Sequence, residues 1–347
     1  MKLLPLPRRT VVCIVLAIIV LSALFIQLQR SNDDSGDPQE LRRTEFLMST
    51  VVEAVVYTED IEAGQQALTA GFSKAAELES IMDRHNTGSD VARINAAAGQ
   101  EPVAVSAETF AVIRRGLEFA QLTDGAFDIT VAPLIDLWGF GTGDAQIPEE
   151  DELAAAREWV DYRKVQLDEE RLEVFLVDAQ MQLDLGGIAK GYIVDQALEA
   201  MRDHGVISGS FDAGGDIRVL GEKPDGTPWR IGIRDPRDRQ ALVAIVELRD
   251  QSVVTSGDYE RFFVQDGERY HHILDPQTGL PTRGVTSVTL LGEDAITTDT
   301  LSTAIFVMGL DRGMDLIESL PDTETIIITE DGQVHISSGL EDQVEIL

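Results

Sequence analysis

The sequence predicts an α+β fold, because strands and helices come in mixed blocks and not in the regular alternation that builds a parallel sheet. Two helical stretches and a strand-rich second half carry that prediction. IEAGQQALTAGFSKAAELESIMD (61–83) has apolar residues at helical spacing, and Ala107 to Leu122 sets Phe110, Val112, Ile113, Leu117 and Ala120 along one stripe. The second half reads as strands punctuated by turn signals such as Pro224-Asp225-Gly226.

In chain order, MSTVVEAVVYT (48–58) has the β-branched content of a strand and precedes the first helix. Strands are then expected at VQLDEERLEVFL, MQLDLG, SFDAGGDIRVLG, WRIGIRD, ALVAIVELRD and SVVTSGDYERFFV. Between the second and third of these, IAKGYIVDQALEAMRDHG is helical. A long helix is expected from about Thr298 to Leu320, closed by Pro321. No internal repeat is present, so residues 44–347 are expected to form one domain.

The 347 residues are ample for a sizeable core, and the hydrophobic share of 44% with 26% charged residues is that of a globular chain. The formal net charge of -33 excludes the basic footprint that nucleic-acid backbones require, so no nucleic-acid partner is expected. An anionic ligand would have to be drawn in locally, by backbone amides, a few lysines or a metal ion. Cys13 is the only cysteine, so no disulfide, thiolate metal site or cysteine nucleophile is available to the folded domain.

Cys13 lies in an uncharged apolar run, Thr10 to Leu28, preceded by Arg8 and Arg9. Nineteen such residues can span the hydrocarbon core as a helix, and the arginines favour a cytoplasmic N-terminus. Residues 1–30 are therefore expected to be a membrane anchor, with a cleaved signal peptide as the rival reading. The polar residues 31–43, with Gly36 and Pro38, read as a linker.

Three motifs could carry chemistry. DLGGIAKG (184–191) opens a helix with two glycines and Lys190, a suitable cradle for a pyrophosphate; tight packing is the alternative. It has neither the phosphate-loop nor the dinucleotide spacing. Asp299 and Thr303 lie four apart near a helix start, an oxygen pair suited to a hard cation, or else an aspartate that favours the helix dipole. His271 and His272 in YHHILDPQTGLP are adjacent, so on a strand only one faces a given side. Ser256 in VTSGDYE lacks the nucleophile-elbow context of a serine hydrolase.

The order of these motifs is more specific than any one of them: MST (48–50), SDVARINAAAG (89–99), TDGAFDITVAPLIDLWGFG (123–141), DLGGIAKGYIVDQA, FDAGGDI, TSGDYERFF, HHILDPQTGLP and TDTLSTAIFVMG. Over residues 45–340 the chain resembles the ApbE family of FAD:protein FMN transferases. That resemblance implies a single T-fold-like domain that binds FAD in a cleft, with Mg2+ between protein and pyrophosphate. By position it implies FAD-binding roles for Met48, Ala126, Phe127, Asp128, Asp184, Lys190 and Ile273, and for His85, where the family normally has an aromatic residue. The metal positions are Gly187, through its carbonyl, and the Asp299 and Thr303 side chains.

His272 matches the base that takes the proton of an acceptor threonine, with Asp299 as the other catalytic residue. The implied reaction moves FMN from FAD to that threonine and releases AMP. The implied acceptors are subunits of membrane electron-transfer complexes such as sodium-pumping quinone reductases (Nqr) and Rnf systems, met by a domain held in the periplasm on the bacterial inner membrane. An FAD pyrophosphatase and a non-catalytic FAD-binding protein are the alternatives.

Overall fold

The computed structural model describes residues 37–141, 143–238, 240–340 and 343–347. The apolar run Thr10–Leu28 lies outside the described residues, and among these no helix is long and apolar enough to cross a membrane. The described part begins with a hairpin, β1 (Gln39–Leu47) and β2 (Thr50–Thr58), followed by α1 (Ile61–Met82), α2 (Asp90–Ala96), β3 (Val103–Ala104), α3 (Ala107–Leu122), α4 (Ala132–Trp138) and α5 (Glu150–Arg157). Then come β4 (Val165–Asp168), β5 (Glu173–Leu176), α6 (Ala189–Asp203), β6 (Gly209–Ala213), β7 (Asp216–Leu220), β8 (Trp229–Arg234), β9 (Leu242–Leu248) and β10 (Ser252–Gly257). The chain ends with β11 (Phe262–Gln265), β12 (Glu268–His271), β13 (Val285–Gly292), α7 (Ala295–Met308), α8 (Leu310–Ser319), β14 (Glu324–Thr329), β15 (Val334–Ile336) and β16 (Val344–Ile346).

The main sheet has eight strands in the order β1-β2-β6-β7-β10-β13-β14-β15, and every neighbouring pair is antiparallel. Both of its faces are buried, which follows from strand alternation. On β2, Val52, Ala54 and Val56 join the core shared with α1, α6 and α7, whereas Val55 turns to the opposite face. That second face is covered by the small sheet β16-β9-β8, through Trp229, Ile233, Val246 and Leu248. A satellite cluster around Trp138, Leu153 and Leu274 carries β11 and β12 through Phe263 and Tyr270.

Caps place the helices where the periodicity predicts them. Ser106 accepts the Thr109 N–H at 3.2 Å and Asp60 accepts the Ala63 N–H at 3.0 Å, each satisfying an orphan donor of a first turn.

Three expectations are corrected. Residues 39–43 are not linker: they are the start of β1, paired from Gln39↔Thr58 onward. Their polar sequence hides the strand because its outward face is held by side-chain pairs, Arg42 to Glu53 and Tyr57 to Glu40. MQLDLG makes no strand; the Asn95 side chain both accepts the Leu183 N–H at 2.7 Å and donates to its carbonyl at 3.0 Å, taking the place of a partner strand. The long C-terminal helix is two helices, because Gly309 at φ 78° breaks the run between α7 and α8.

Candidate functional site

Pairing Val52↔Ala213 brings two tight turns to the same end of the sheet: Met48-Ser49 between β1 and β2, and Gly214-Gly215 between β6 and β7. The Thr50 side chain presses on the α-carbon of Gly214, so no Cβ fits there. Asp216 begins β7 directly after this turn and is buried at 1% exposure. Its Oδ1 lies 3.0 Å from Nζ of Lys190 in the first turn of α6. The next residue, Gly191, donates its N–H to Asp299 Oδ2 at 2.9 Å. Gly191 is tightly packed, since a Cβ there would collide with the Ala295 carbonyl of α7. The α6–α7 contact thus fixes Lys190, Asp216 and Asp299 relative to one another.

Thr303 follows Asp299 by one turn of α7, on the same face. Gly187 stands opposite: a methyl on its α-carbon would lie 3.6 Å from Thr303 Oγ1 and 3.1 Å from the Phe127 ring. Ser256 at the end of β10 completes the group, with its Oγ 2.7 Å from Ser302 Oγ and 3.3 Å from Thr303 Oγ1. Gly187, Lys190, Asp299, Thr303 and Phe127 are therefore brought together as the motifs imply. Asp216 and Ser256 belong with them; the only sequence signal for Asp216 was an acidic residue directly after a Gly-Gly turn.

Burial, reinforced by the nearby Asp216 carboxylate, pushes Asp299 up to about 8. Burial likewise raises Asp216, against the pull of Lys190. Lys190 is desolvated too, but the two carboxylates outweigh this and hold it above its usual value, so it stays protonated. Two carboxyls thus face one ammonium, and among the described residues the enclosed Asp216 Oδ2 has no hydrogen-bond partner. Among the described residues no group of three or more His, Cys, Asp or Glu could hold a metal. The groups gathered here, a carboxyl, hydroxyls and the Gly187 backbone, are hard oxygen donors of the kind Mg2+ takes, and a bound cation would favour the ionised form of the two carboxyls that burial raises.

The other expected contributors are placed differently. Asp128 is buried and consumed by its own loop: Oδ1 accepts from Thr130 N at 2.8 Å and Thr130 Oγ1 at 2.6 Å, and Oδ2 from Tyr162 N at 3.0 Å. Asp184 accepts the Gly186 N–H at 2.7 Å and lies 2.8 Å from Nε of Arg84, which also holds Asp136. The amides expected to be free at the start of α6 are partly taken, since Ile188 and Ala189 both donate to the Leu185 carbonyl. Ala126 is buried beside Phe127, His85 is in an exposed turn, and the Met48 N–H donates to Glu79 at 2.7 Å.

A cavity of about 540 Å³ adjoins the Asp124–Asp128 segment, between Arg157 and Tyr162 on one side and Pro276 and Gln277 on the other. Lys190, Asp216 and Asp299 do not line it.

The two histidines separate at the end of β12, which closes with His271, so that His272 lies in the bend that follows. His271 is fixed in the interior, donating from Nε2 to the Thr282 carbonyl at 2.9 Å and accepting the Ile273 N–H at Nδ1 at 3.3 Å. The His272 backbone N–H donates to the Arg261 carbonyl at 3.0 Å, and its enclosed ring Nδ1 has no hydrogen-bond partner among the described residues. Burial, then the charges of Arg261 and His271, push His272 down to about 3, so its ring is neutral at ordinary pH. Ile273 is buried next to it.

The fold and site define a single-domain mixed α/β protein with a polar, oxygen-rich site at one end of an antiparallel sheet. The chain belongs to the ApbE family, whose model matches residues 48–327. It is 36% identical over 325 residues to an FAD:protein FMN transferase of Treponema pallidum, covering 89% of this chain and 90% of that protein. A relative of the same name from Vibrio cholerae is 37% identical over 261 residues, 74% of this chain and 78% of that one. Among solved structures, the ApbE protein of Thermotoga maritima matches with a TM-score of 0.82 at 37% identity, over 87% of this chain and 98% of that one. The flavin transferase ApbE of Vibrio cholerae matches with 0.78 at 31%, over 88% and 99%.

Proposed function

We propose that this chain is an FAD:protein FMN transferase that works with Mg2+, attaches FMN to a threonine hydroxyl of an acceptor protein and releases AMP. The observation that carries the reading is the convergence of Gly187, Asp299 and Thr303 beside Lys190, with two buried carboxyls against one ammonium. The relatives' printed names supply the flavin and the transfer.

The chemistry follows from the residues. Mg2+ held by the Gly187 carbonyl, Asp299 and Thr303 would neutralise charge at the pyrophosphate. Lys190 binds the same pyrophosphate through its permanently charged ammonium. His272, neutral at working pH, accepts the threonine hydroxyl proton on a ring nitrogen. The hydroxyl oxygen attacks the FMN-side phosphorus, a phosphoester bond forms, and the bond to the AMP oxygen breaks. The anionic substrate raises the basicity of His272 when it enters, since a nearby negative charge favours the protonated ring. The family resemblance supports contacts of the flavin nucleotide with Met48, His85, Ala126, Phe127 and Ile273, of which Phe127 stands beside Gly187.

The apolar run Thr10–Leu28 behind Arg8 and Arg9 supports an anchor in the bacterial inner membrane with the domain in the periplasm. An anchored enzyme meets membrane-bound acceptors of the Nqr and Rnf kind at raised local concentration. The test is intact-mass spectrometry of a threonine-bearing acceptor domain incubated with the full chain, FAD and Mg2+, with and without EDTA. The acceptor should gain one FMN mass only when Mg2+ is present; free FMN and AMP beside an unmodified acceptor would mean a pyrophosphatase instead.

A further inference from the structure

Asp216 is a carboxylate for which the proposed reaction has no use and the fold has too few partners. It is 1% exposed, its Oδ1 is paired with Lys190 at 3.0 Å, and its enclosed Oδ2 has no donor among the described residues. A buried acceptor left without a donor is costly to the fold, and packing does not explain it. Asp212, in the adjacent pair of the same hairpin, uses its Oδ1 to accept the Gly215 N–H at 2.8 Å and so closes the turn without help from Asp216. Lys190 and Gly191 are consecutive on α6, and one holds Asp216 while the other holds Asp299. The two carboxylates are thus clamped by adjacent residues of one helix end, on either side of Lys190.

We infer that Asp216 is a positioning residue for the cation site: it fixes the Lys190 ammonium through Oδ1 and, through Oδ2, accepts a hydrogen bond from a water on the divalent cation held by Gly187, Asp299 and Thr303. Mg2+ dehydrates reluctantly and keeps several waters, and outer carboxylates that orient those waters commonly set affinity. The tight Gly214-Gly215 turn serves this arrangement by delivering Asp216 to the sheet end without side-chain bulk around it. The inference rests on the proposed cation site and assigns a residue that the site's three donors do not include.

The test is Mn2+ binding to the full chain, followed by electron paramagnetic resonance in the absence of FAD, together with FAD binding followed by flavin fluorescence. Asp216→Asn is nearly isosteric but cannot take up the charge or the water's proton in the same way. It should weaken Mn2+ binding about 10-fold or more, the usual loss when an outer-shell partner is removed. Lys190→Met provides an arm with the opposite sign: with the ammonium gone, Asp216 and Asp299 are left uncompensated, so Mn2+ should bind several-fold tighter while FAD binds more weakly. A residue with a merely structural role would not move the two ligands in opposite directions, and this arm stands even where Asp216→Asn fails to fold. Wild-type binding of Mn2+ with no change in either variant overturns the role of Asp216 alone. A wild-type chain that binds FAD but no Mn2+ overturns the cation site and this inference with it.

Discussion

Two pairs of buried or half-buried aspartates look alike in the sequence and are opposites in the structure. Asp128 and Asp184 lie in motifs shared with the family, yet their oxygens are taken up by Thr130, Tyr162, Gly186 and Arg84. Asp216 and Asp299 sit at the sheet end with one ammonium and one amide between them. The first pair brackets loops; the second leaves negative charge for something else to meet. Supply of donors, and not residue type or burial, separates a carboxylate that holds the fold from one that waits for a ligand.

The comparison is tested hardest at Asp299. Asp299→Ala should lower flavin transfer by several kcal/mol of barrier, on the order of 10³-fold. The same variant in EDTA should lose less stability than Asp128→Ala, because it strands one donor, the Gly191 N–H, where Asp128→Ala strands three. A large loss of stability there would erase the distinction between the pairs.

His272→Ala comes next, with an expected loss of about 10²-fold or more in transfer and little change in FAD binding by fluorescence titration. Loss of binding in step with activity would show that the ring holds substrate and does not take a proton.

Asp128→Ala should act on the other side of the comparison. It strands the Thr130 and Tyr162 donors and should cost about 3 kcal/mol in urea unfolding. The fraction that remains folded should keep transfer within a few-fold. A variant as stable as wild type but inactive would move Asp128 into the site.

The smallest effect is a pH dependence of the cation-free protein. Asp299, raised from 3.8 to about 8, binds its proton more tightly folded than unfolded, so its ionisation lowers stability as pH rises from about 4 to 8. Asp195, raised to about 6 by burial, acts in the same direction but is spent above pH 6. His272, lowered from 6.5 to about 3, acts oppositely, its contribution complete above pH 6.5 and lost as pH falls toward 3. Between pH 6.5 and 8 Asp299 acts alone of the three. The melting temperature in EDTA should therefore fall across that window, and added Mg2+ should raise it more at pH 8 than at pH 6.5. Equal Mg2+ shifts at both pH values would count against Asp299 as a ligand.

Much of this was readable before any coordinates. α1 and α3 fall where periodicity and the Asp60 and Ser106 caps put them, because local hydrogen bonds and a single apolar face suffice to define a helix. The strands of the second half were legible for the similar reason that alternation and turn residues are local. Three elements escaped for separate reasons: β1, whose polar sequence is held by charge pairs across its hairpin with β2; the MQLDLG segment, captured by Asn95 some 88 residues earlier; and the break at Gly309, set by one backbone angle. In the site, Gly187, Asp299 and Thr303 were named from their motifs, whereas Asp216 was not. Its significance lies in a missing partner, and no motif records what a side chain fails to touch.

The sequence by itself determined the family, the α+β class and the run of helices and strands, since each is written in contiguous residues, and its motifs named the oxygen donors proposed for the cation. Only the tertiary structure decided which carboxylates are spoken for and which are not. That depends on β6 and β7 bringing Asp216 to the first turn of α6, and on α7 lying close enough for Gly191 to hold Asp299. Burial then sets the charge each group prefers, and burial belongs to the packed chain alone.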